Sequence, residues 1–452
     1  MSALPRRFRR LLWRVVPLAL IIIVLIVFIL NIPTSLKDSV ISSATNVMDK
    51  IPWQSESKDI PDSLVDPSSV MTVEEIKDKL TFTGKSEFTW DQIMEQNYAQ
   101  LSEIMNIKID EPKVDNLRRG AENPDEYQRA NATLMILSRN QDASSIILTI
   151  KQIEKHFNSK FHYPYVFLND KEFSQRFIDR IKKHISSEAF FETIDPADWN
   201  QPDFIDKEKQ IAGMQKMADE NVAYAKKMSY HNMCRYYSKG FYNHPRMRQF
   251  KWYWRFEPGT QYYCDIDYDV FKFMEENNKT YGFTIGLYDI HQSVETLWPK
   301  TLEFVEMHPE FVNPNGAFSW LVNDLQNPGK AKYAHGYSTC HFWSNFEIGN
   351  MDFFRGEAYS QWIQFLDKTG GFYYERWGDA PVHSIGLSLF ENRDKIHWFR
   401  DIGYTHSPYT NCPNSDKCSG CEVGKLNDDL KSENCLTNWW NLEMDQSARD
   451  MY

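Results

Sequence analysis

The first apolar block in the chain is continuous rather than periodic. Val15–Leu30 carries no polar side chain, and Leu11, Leu12, Trp13 and Ile32 extend it past Arg14. A helix over 11–32 is long enough to cross a bilayer, which takes roughly 20 residues. From about Pro33 to Pro124 the pattern fades into polar sequence, with prolines, serines and acids crowded at Ser55–Ser69. This reads as a stem, interrupted by short helices such as Val73–Leu80. Pattern returns at Ala132–Ser138 (ATLMILS), an apolar run of strand length. Asp142 then caps a segment, Ala143–Phe157, whose Ile146, Ile147, Ile150 and Ile153 keep helical spacing. Tyr163–Leu168 predicts a second strand and Asp170–His184 a second helix. A long helical region, Asp206–Tyr237, follows. Gln249–Phe256 (QFKWYWRF) predicts a strand that delivers Glu257 into a Pro258-Gly259 turn, and Tyr281–Leu287 a further strand. Alternation of this kind argues for an α/β fold with a parallel sheet, which binds ligands beyond the carboxyl ends of its strands.

Charge orients the first block. Arg6, Arg7, Arg9, Arg10 and Arg14 all precede Asp38, the first acidic residue, so the positive-inside rule places residues 1–10 in the cytosol and the rest of the chain in a lumen. A cleaved signal peptide is the rival reading; the stretch is longer than the usual h-region, and no A-x-A site follows closely. The expected organisation is a cytosolic tail (1–10), a transmembrane signal anchor (11–32), a stem (33–124) and a lumenal body (125–452). The whole chain of 452 residues has a formal charge of -11, and without the five leading arginines the body is more acidic still. Bulk electrostatics therefore exclude a phosphate-backbone binder. Seven cysteines in an oxidising lumen suggest disulfides with at least one thiol left over, in pairings that sequence leaves open. A zinc knuckle is the alternative for Cys412, Cys418, Cys421 and Cys435. Of two N-glycosylation sequons, at Asn131 and Asn278, the second has the better setting.

The chemistry-bearing residues fall in four clusters. Asp265 and Asp267 (CDIDYD) follow Glu257 closely, and spaced carboxylates can hold a hard divalent cation that neutralises a diphosphate. No Walker loop or G-x-G-x-x-G occurs, so a metal would carry more of that work. Tyr337–Glu347 (YSTCHFWSNFE) places His341, Ser344, Asn345 and Glu347 too close together for an ordinary core strand. Gly370–His383 (GGFYYERWGDAPVH) sets Glu375, Arg376, Asp379 and His383 among aromatics, and His397–His406 (HWFRDIGYTH) offers His397, Asp401 and His406 as ligands.

The strings EPGTQYYCDIDYDVF, YSTCHFWSNFEIG, GGFYYERWGDAPVHSIGL and HWFRDIGYTH, with SYHNMCRYYS and NNKTYGF, resemble those of the fungal α-1,2-mannosyltransferases of glycosyltransferase family fifteen. The likeness runs from about Ala132 to Lys425, and the tail, span and stem match the family's layout. The resemblance implies a GT-A fold with a single mixed, mostly parallel nucleotide-binding sheet. It implies transfer of mannose from GDP-mannose, with retention and with Mn²⁺, to α-mannoside ends of O-linked or N-linked glycans in the Golgi, in company with other Golgi mannosyltransferases. It also implies roles: Glu347 as nucleophile or active-site carboxylate, Asp379 in the same acidic site, Glu257 and His406 as metal ligands, and Tyr230 near the donor. Gly259 stands where relatives can carry Asp, so Asp265 or Asp267 is expected to supply the missing ribose or second-metal contact.

Retention requires either a carboxylate that attacks C1 or front-face attack within an ion pair, and both remain open at this level. Two other readings compete. A noncatalytic mannose-binding membrane protein would bind donor without releasing GDP. A glycoside hydrolase using Glu347 and Asp379 would release mannose without nucleotide.

Overall fold

The computed structural model describes residues 70–452 except 85, 121–125, 324 and 428–432. The anchor expected at 11–32 and the first part of the stem, residues 33–69, lie outside the described residues. Among those described, no helix is long and apolar enough to cross a membrane.

Seven strands form the central sheet: β1 (Ala132–Leu137), β2 (Tyr165–Asn169), β3 (Ala189–Thr193), β4 (Trp252–Arg255), β6 (Tyr281–Phe283), β9 (Glu347–Asn350) and β10 (Ile396–Trp398), in the order β10-β6-β9-β4-β1-β2-β3. All neighbours run parallel except β9, which is antiparallel to both β4 and β6. The sheet is therefore mixed and mostly parallel. Its central strands are apolar because helices cover both faces; β1 and β2 are almost wholly buried. A three-stranded sheet, β12-β11-β5, is built from β5 (Gln261–Tyr262), β11 (Tyr404–His406) and β12 (Tyr409–Asn411), and β7 (Gly286–Tyr288) pairs with β8 (Cys340–Phe342).

Several expectations need correction. The body begins well before residue 125. Helix Val73–Lys79 is followed by Trp90–Asn106, capped by Thr89 and Gln92, and Ile76, Leu101, Ile104 and Met105 join the main core. Asn97 and Gln100 bond Asn438 and Asn441 on helix Leu436–Leu442. Only one narrow face of that 17-residue helix is apolar, so its composition passes for a stem. The helical region 206–237 is two helices, Lys207–Asp219 and Met228–Lys239, broken where Asn221 and Tyr224 take positive φ. Tyr281–Leu287 is two strands of different sheets, β6 and β7. Asp142 stands at the N-cap of helix Ala143–Ile153 but its carboxylate accepts no helix amide; it accepts from Arg139 instead. The zinc-knuckle alternative also fails, because the four cysteines belong to three disulfides, Cys264–Cys418, Cys340–Cys435 and Cys412–Cys421. Cys234 is a buried free thiol. Both sequon asparagines are exposed.

Candidate active site

Strand direction decides what gathers at one edge of the sheet. β1, β2 and β4 end there, and β9, running the other way, begins there. Arg255, the last residue of β4, is consequently the register partner of Glu347, the first residue of β9. Ser344 and Asn345, in the loop entering β9, lie on the same edge, as does Asp379 in the first turn of helix Asp379–Phe390.

Two cavities open along this edge. The smaller, about 230 Å³, is walled by Leu137–Arg139 at the end of β1, Asn169 and Asp170 at the end of β2, Trp199 and Pro258. The larger, about 710 Å³, is walled by Arg255, Asp289, Ser344, Arg376, Asp379 and His406 among others. Lys227, Tyr230, Met233 and Glu257 line both, so the two are one continuous cleft. Tyr230, on helix Met228–Lys239, stacks on Tyr224 with centroids 4.5 Å apart, and the Arg376 guanidinium lies 5.2 Å from its ring centre.

Arg255 organises the floor. Its guanidinium is buried, lies 3.4 Å from the Tyr237 ring centre, and meets three carboxylates: it donates to Asp379 Oδ2 at 2.5 Å, to Glu257, and stands 3.6 Å from Glu347 Oε1. Burial alone would push the Asp379 carboxyl up. The charges of Arg255 and His383, with hydrogen bonds from Arg255 and Ser344, outweigh it and hold Asp379 below the usual carboxylate range. Asp379 is thus an anion poised on the wall.

Glu347 lies one side chain deeper. It is fully buried and absent from the cavity wall; Tyr281 donates to its Oε2 at 2.9 Å, and its Oε1 has no hydrogen-bond partner. His383 Nδ1 is 3.0 Å from the same Oε2, while its Nε2 is 3.0 Å from the Tyr237 carbonyl oxygen. A carbonyl only accepts, so Nε2 carries a proton, and the contact between Nδ1 and Oε2 must contain one more, held by either partner. Glu347 and His383 therefore form a buried one-proton pair.

Two further groups face the cleft without committing to each other. His406 Nε2 is 3.8 Å from Glu257 Oε2, too far for a hydrogen bond, and His406 Nδ1 is buried without a partner. Donors so placed fit a shared cation. Among the described residues no group of three or more His, Cys, Asp or Glu side chains gathers as a closed cage would require. Such a pair instead suits a hard cation that takes one or two protein ligands and completes its shell from substrate phosphates.

Of the residues expected from sequence, the cleft brings together Tyr230, Glu257, Asp379 and His406, with Glu347 immediately behind the wall. Asp265 and Asp267 do not reach it. Asp265 pairs with His156 at 2.7 Å, and Asp267 with Lys160 and Lys417 at 2.7 and 3.0 Å, in a segment tethered by Cys264–Cys418. Asp267 neutralises local lysines and Asp265 is held by His156, and neither lines the cleft. His397 and Asp401 are also remote, bonded to Tyr452 and Tyr268. Sequence reasoning overlooked Arg255, whose signal was an arginine ending an otherwise aromatic buried strand, and also Asp289 and Lys330. Thr339, just before β8, is buried at φ +66, a left-handed conformation uncommon for a β-branched residue, and its hydroxyl lacks a partner.

A family model described as "Glycolipid 2-alpha-mannosyltransferase" matches residues 91–444. The chain is 48% identical over 377 residues to "Probable mannosyltransferase KTR4" of Saccharomyces cerevisiae, covering 81% of each protein. It is 43% identical over 289 residues to "O-glycoside alpha-1,2-mannosyltransferase omh1" of Schizosaccharomyces pombe, covering 64% of this chain and 72% of that one. Among solved structures it is similar to the mannosyltransferase Ktr4p from S. cerevisiae in complex with GDP, with a TM-score of 0.82 and 47% identity over 86% of this chain and 100% of the other. It is also similar to Core-mannan synthase A from Aspergillus fumigatus in its Mn/GDP form, with a TM-score of 0.74 and 44% identity over 75% and 94% of the two chains.

Proposed function

The chain belongs to the glycolipid 2-alpha-mannosyltransferase family, and from that premise we propose that it is a Golgi type II membrane enzyme that adds α-1,2-linked mannose to glycans of glycoproteins with retention of configuration. Enzyme class and donor follow from membership: it is a mannosyltransferase that uses GDP-mannose. The observation that carries the reading is the continuous cleft at the strand ends, with Glu257 where its two cavities join, His406 beside it in the larger one, and anionic Asp379 on the same wall.

In this reading the nucleoside takes the smaller cavity, the diphosphate lies by Glu257 and His406, and mannose reaches Arg255, Ser344 and Asp379. Glu257 and His406 would hold a divalent cation, Mn²⁺, which when bound neutralises the diphosphate and so makes it a better leaving group. The chain's own groups do the rest. Tyr230 and Arg376 form a wall that orients the donor and keeps water from it. Asp379 and, behind it, Glu347 present negative charge to the anomeric carbon as positive charge develops there. Arg255 fixes both carboxylates and turns Glu257 toward the phosphates. The leaving phosphate takes the acceptor's hydroxyl proton, so no separate base is called on.

Incubating the soluble body with GDP-mannose, Mn²⁺ and an α-mannoside should release GDP and extend the acceptor. Donor binding without GDP release would favour the noncatalytic reading, and mannose release without nucleotide the hydrolase. Two outcomes sharpen the site. His406→Ala should raise the metal concentration for half-maximal rate at least about tenfold, the scale on which metal sites respond to lost support; an unshifted titration would remove His406 from the ligand set. Asp265→Asn with Asp267→Asn should leave kcat and the metal titration within about twofold, because both carboxylates are spent on local partners away from the cleft, His156 for one and Lys160 with Lys417 for the other. A collapse of activity with folding intact would return them to the site.

A further inference from the structure

A third cavity, about 420 Å³, lies on the outer side of the ridge formed by residues 289–296. That volume falls within the range of about 300–1,000 Å³ typical of small-molecule sites. Gln292 lines both it and the large cavity of the cleft, so the two meet at one side chain. The ridge is fixed in place. The Arg376 amide donates to the Ser293 carbonyl, and the Glu375 carboxylate accepts from the Thr296 amide and hydroxyl and from the Trp377 indole. Burial pushes the Glu375 carboxyl up, against those hydrogen bonds. The far wall is fixed as well, since helix Lys207–Asp219 comes so close at Gly213 that a Cβ there would sit 2.0 Å from the Tyr374 carbonyl oxygen. The lining mixes donors and acceptors: Lys209, whose ammonium lies 4.2 Å from the Tyr374 ring centre, the Lys216–Glu295 pair, Thr296 and Lys300. Neutral polyols, with hydroxyls that both give and accept, match such a lining better than an apolar ligand would.

The nucleoside cavity joins the cleft on the side of Lys227, Tyr230, Met233 and Glu257, whereas this one joins it at Gln292. We propose that the third cavity is a distal acceptor subsite that holds the second and third sugars of an α-mannoside chain while its terminal mannose is extended in the cleft. This rests on the mannosyltransferase reading and deepens it: the enzyme selects its acceptor by chain length, with the glycan crossing the ridge at Gln292.

The test compares kcat/KM for methyl α-mannoside and for an α-1,2-linked mannotriose, at saturating GDP-mannose. Wild type should favour the trisaccharide. Ala212→Trp, which fills the cavity from an exposed helix position, should lower kcat/KM for the trisaccharide roughly tenfold, equivalent to one or two lost hydrogen bonds, and leave the monosaccharide within about twofold. Lys209→Ala with Lys300→Ala should act in the same direction, which covers a fold failure of the tryptophan variant. Equal rates for the two acceptors in wild type, or equal losses for both in the variants, would overturn the subsite. No GDP release with either acceptor in wild type would instead reject the transferase reading itself.

Discussion

Glu347→Gln should lower kcat by at least about a thousandfold while GDP affinity changes less than about twofold. The substitution keeps the shape and removes the charge; Tyr281 and His383 both meet Oε2, so an amide there keeps one hydrogen bond, accepting from Tyr281 as oxygen or donating to His383 as nitrogen. What is lost is the negative charge behind Asp379 and opposite Arg255. Such charge acts on the developing oxocarbenium centre and not on the nucleotide, which lies toward Glu257 and the smaller cavity; the loss should therefore appear in kcat and spare binding. Single donors aimed at transition-state charge are worth roughly 10²–10³ in rate, and members of a catalytic unit about 10⁴ or more. Burial makes the position sensitive twice over, because an interaction is stronger out of water and because one proton is shared with His383. Measuring single-turnover rates beside GDP titrations separates the two effects. Turnover near wild type would show that Asp379, the carboxylate actually on the wall, suffices alone.

The sheet was readable wherever burial imposed a local period. Residues 132–184 alternate between apolar runs and helical spacing because β1 and β2 are covered on both faces and their connecting helices on one. Helix Trp90–Asn106 escaped because it bonds residues 341 positions away, through a face too narrow to colour its composition. The break at 220–227 contains neither Gly nor Pro; Asn221 and Tyr224 take left-handed φ without either, so no local signal marked it. In the site, long motifs pointed to Tyr230, Glu257, Asp379 and His406, which do meet on one cleft. Spacing of like residues misled at Asp265 and Asp267. A pair of carboxylates looks the same in sequence whether a metal or distant Lys160 and Lys417 will neutralise it, and that choice is tertiary. Arg255 is the converse case, a residue whose importance exists only once three carboxylates from separate segments have been folded around it.

Arg255→Met should be the most destabilising single change at the site, because it leaves those carboxylates facing one another, with Glu347 and Asp379 out of water. Breaking a buried ion pair from one side costs about 3–5 kcal/mol, and here one guanidinium serves Glu257, Glu347 and Asp379 together. Methionine preserves much of the packing on Tyr237, so the loss is electrostatic in origin. The pH dependence follows from Asp379. In the wild type its carboxyl is held below the usual range, so it contributes stability that is fully present above the unfolded value and lost as pH falls through the lowered one. Without Arg255 the balance passes to burial, which raises the carboxyl, and protonation then relieves the repulsion. The gap in melting temperature between the two proteins should thus be widest near neutral pH and shrink on acidification, and it should be joined by a loss of activity as Glu257 and Asp379 lose their alignment. A gap that stays constant from neutral to acid pH would mean that Arg255 acts through packing, and that the anionic floor of the cleft is held by other means.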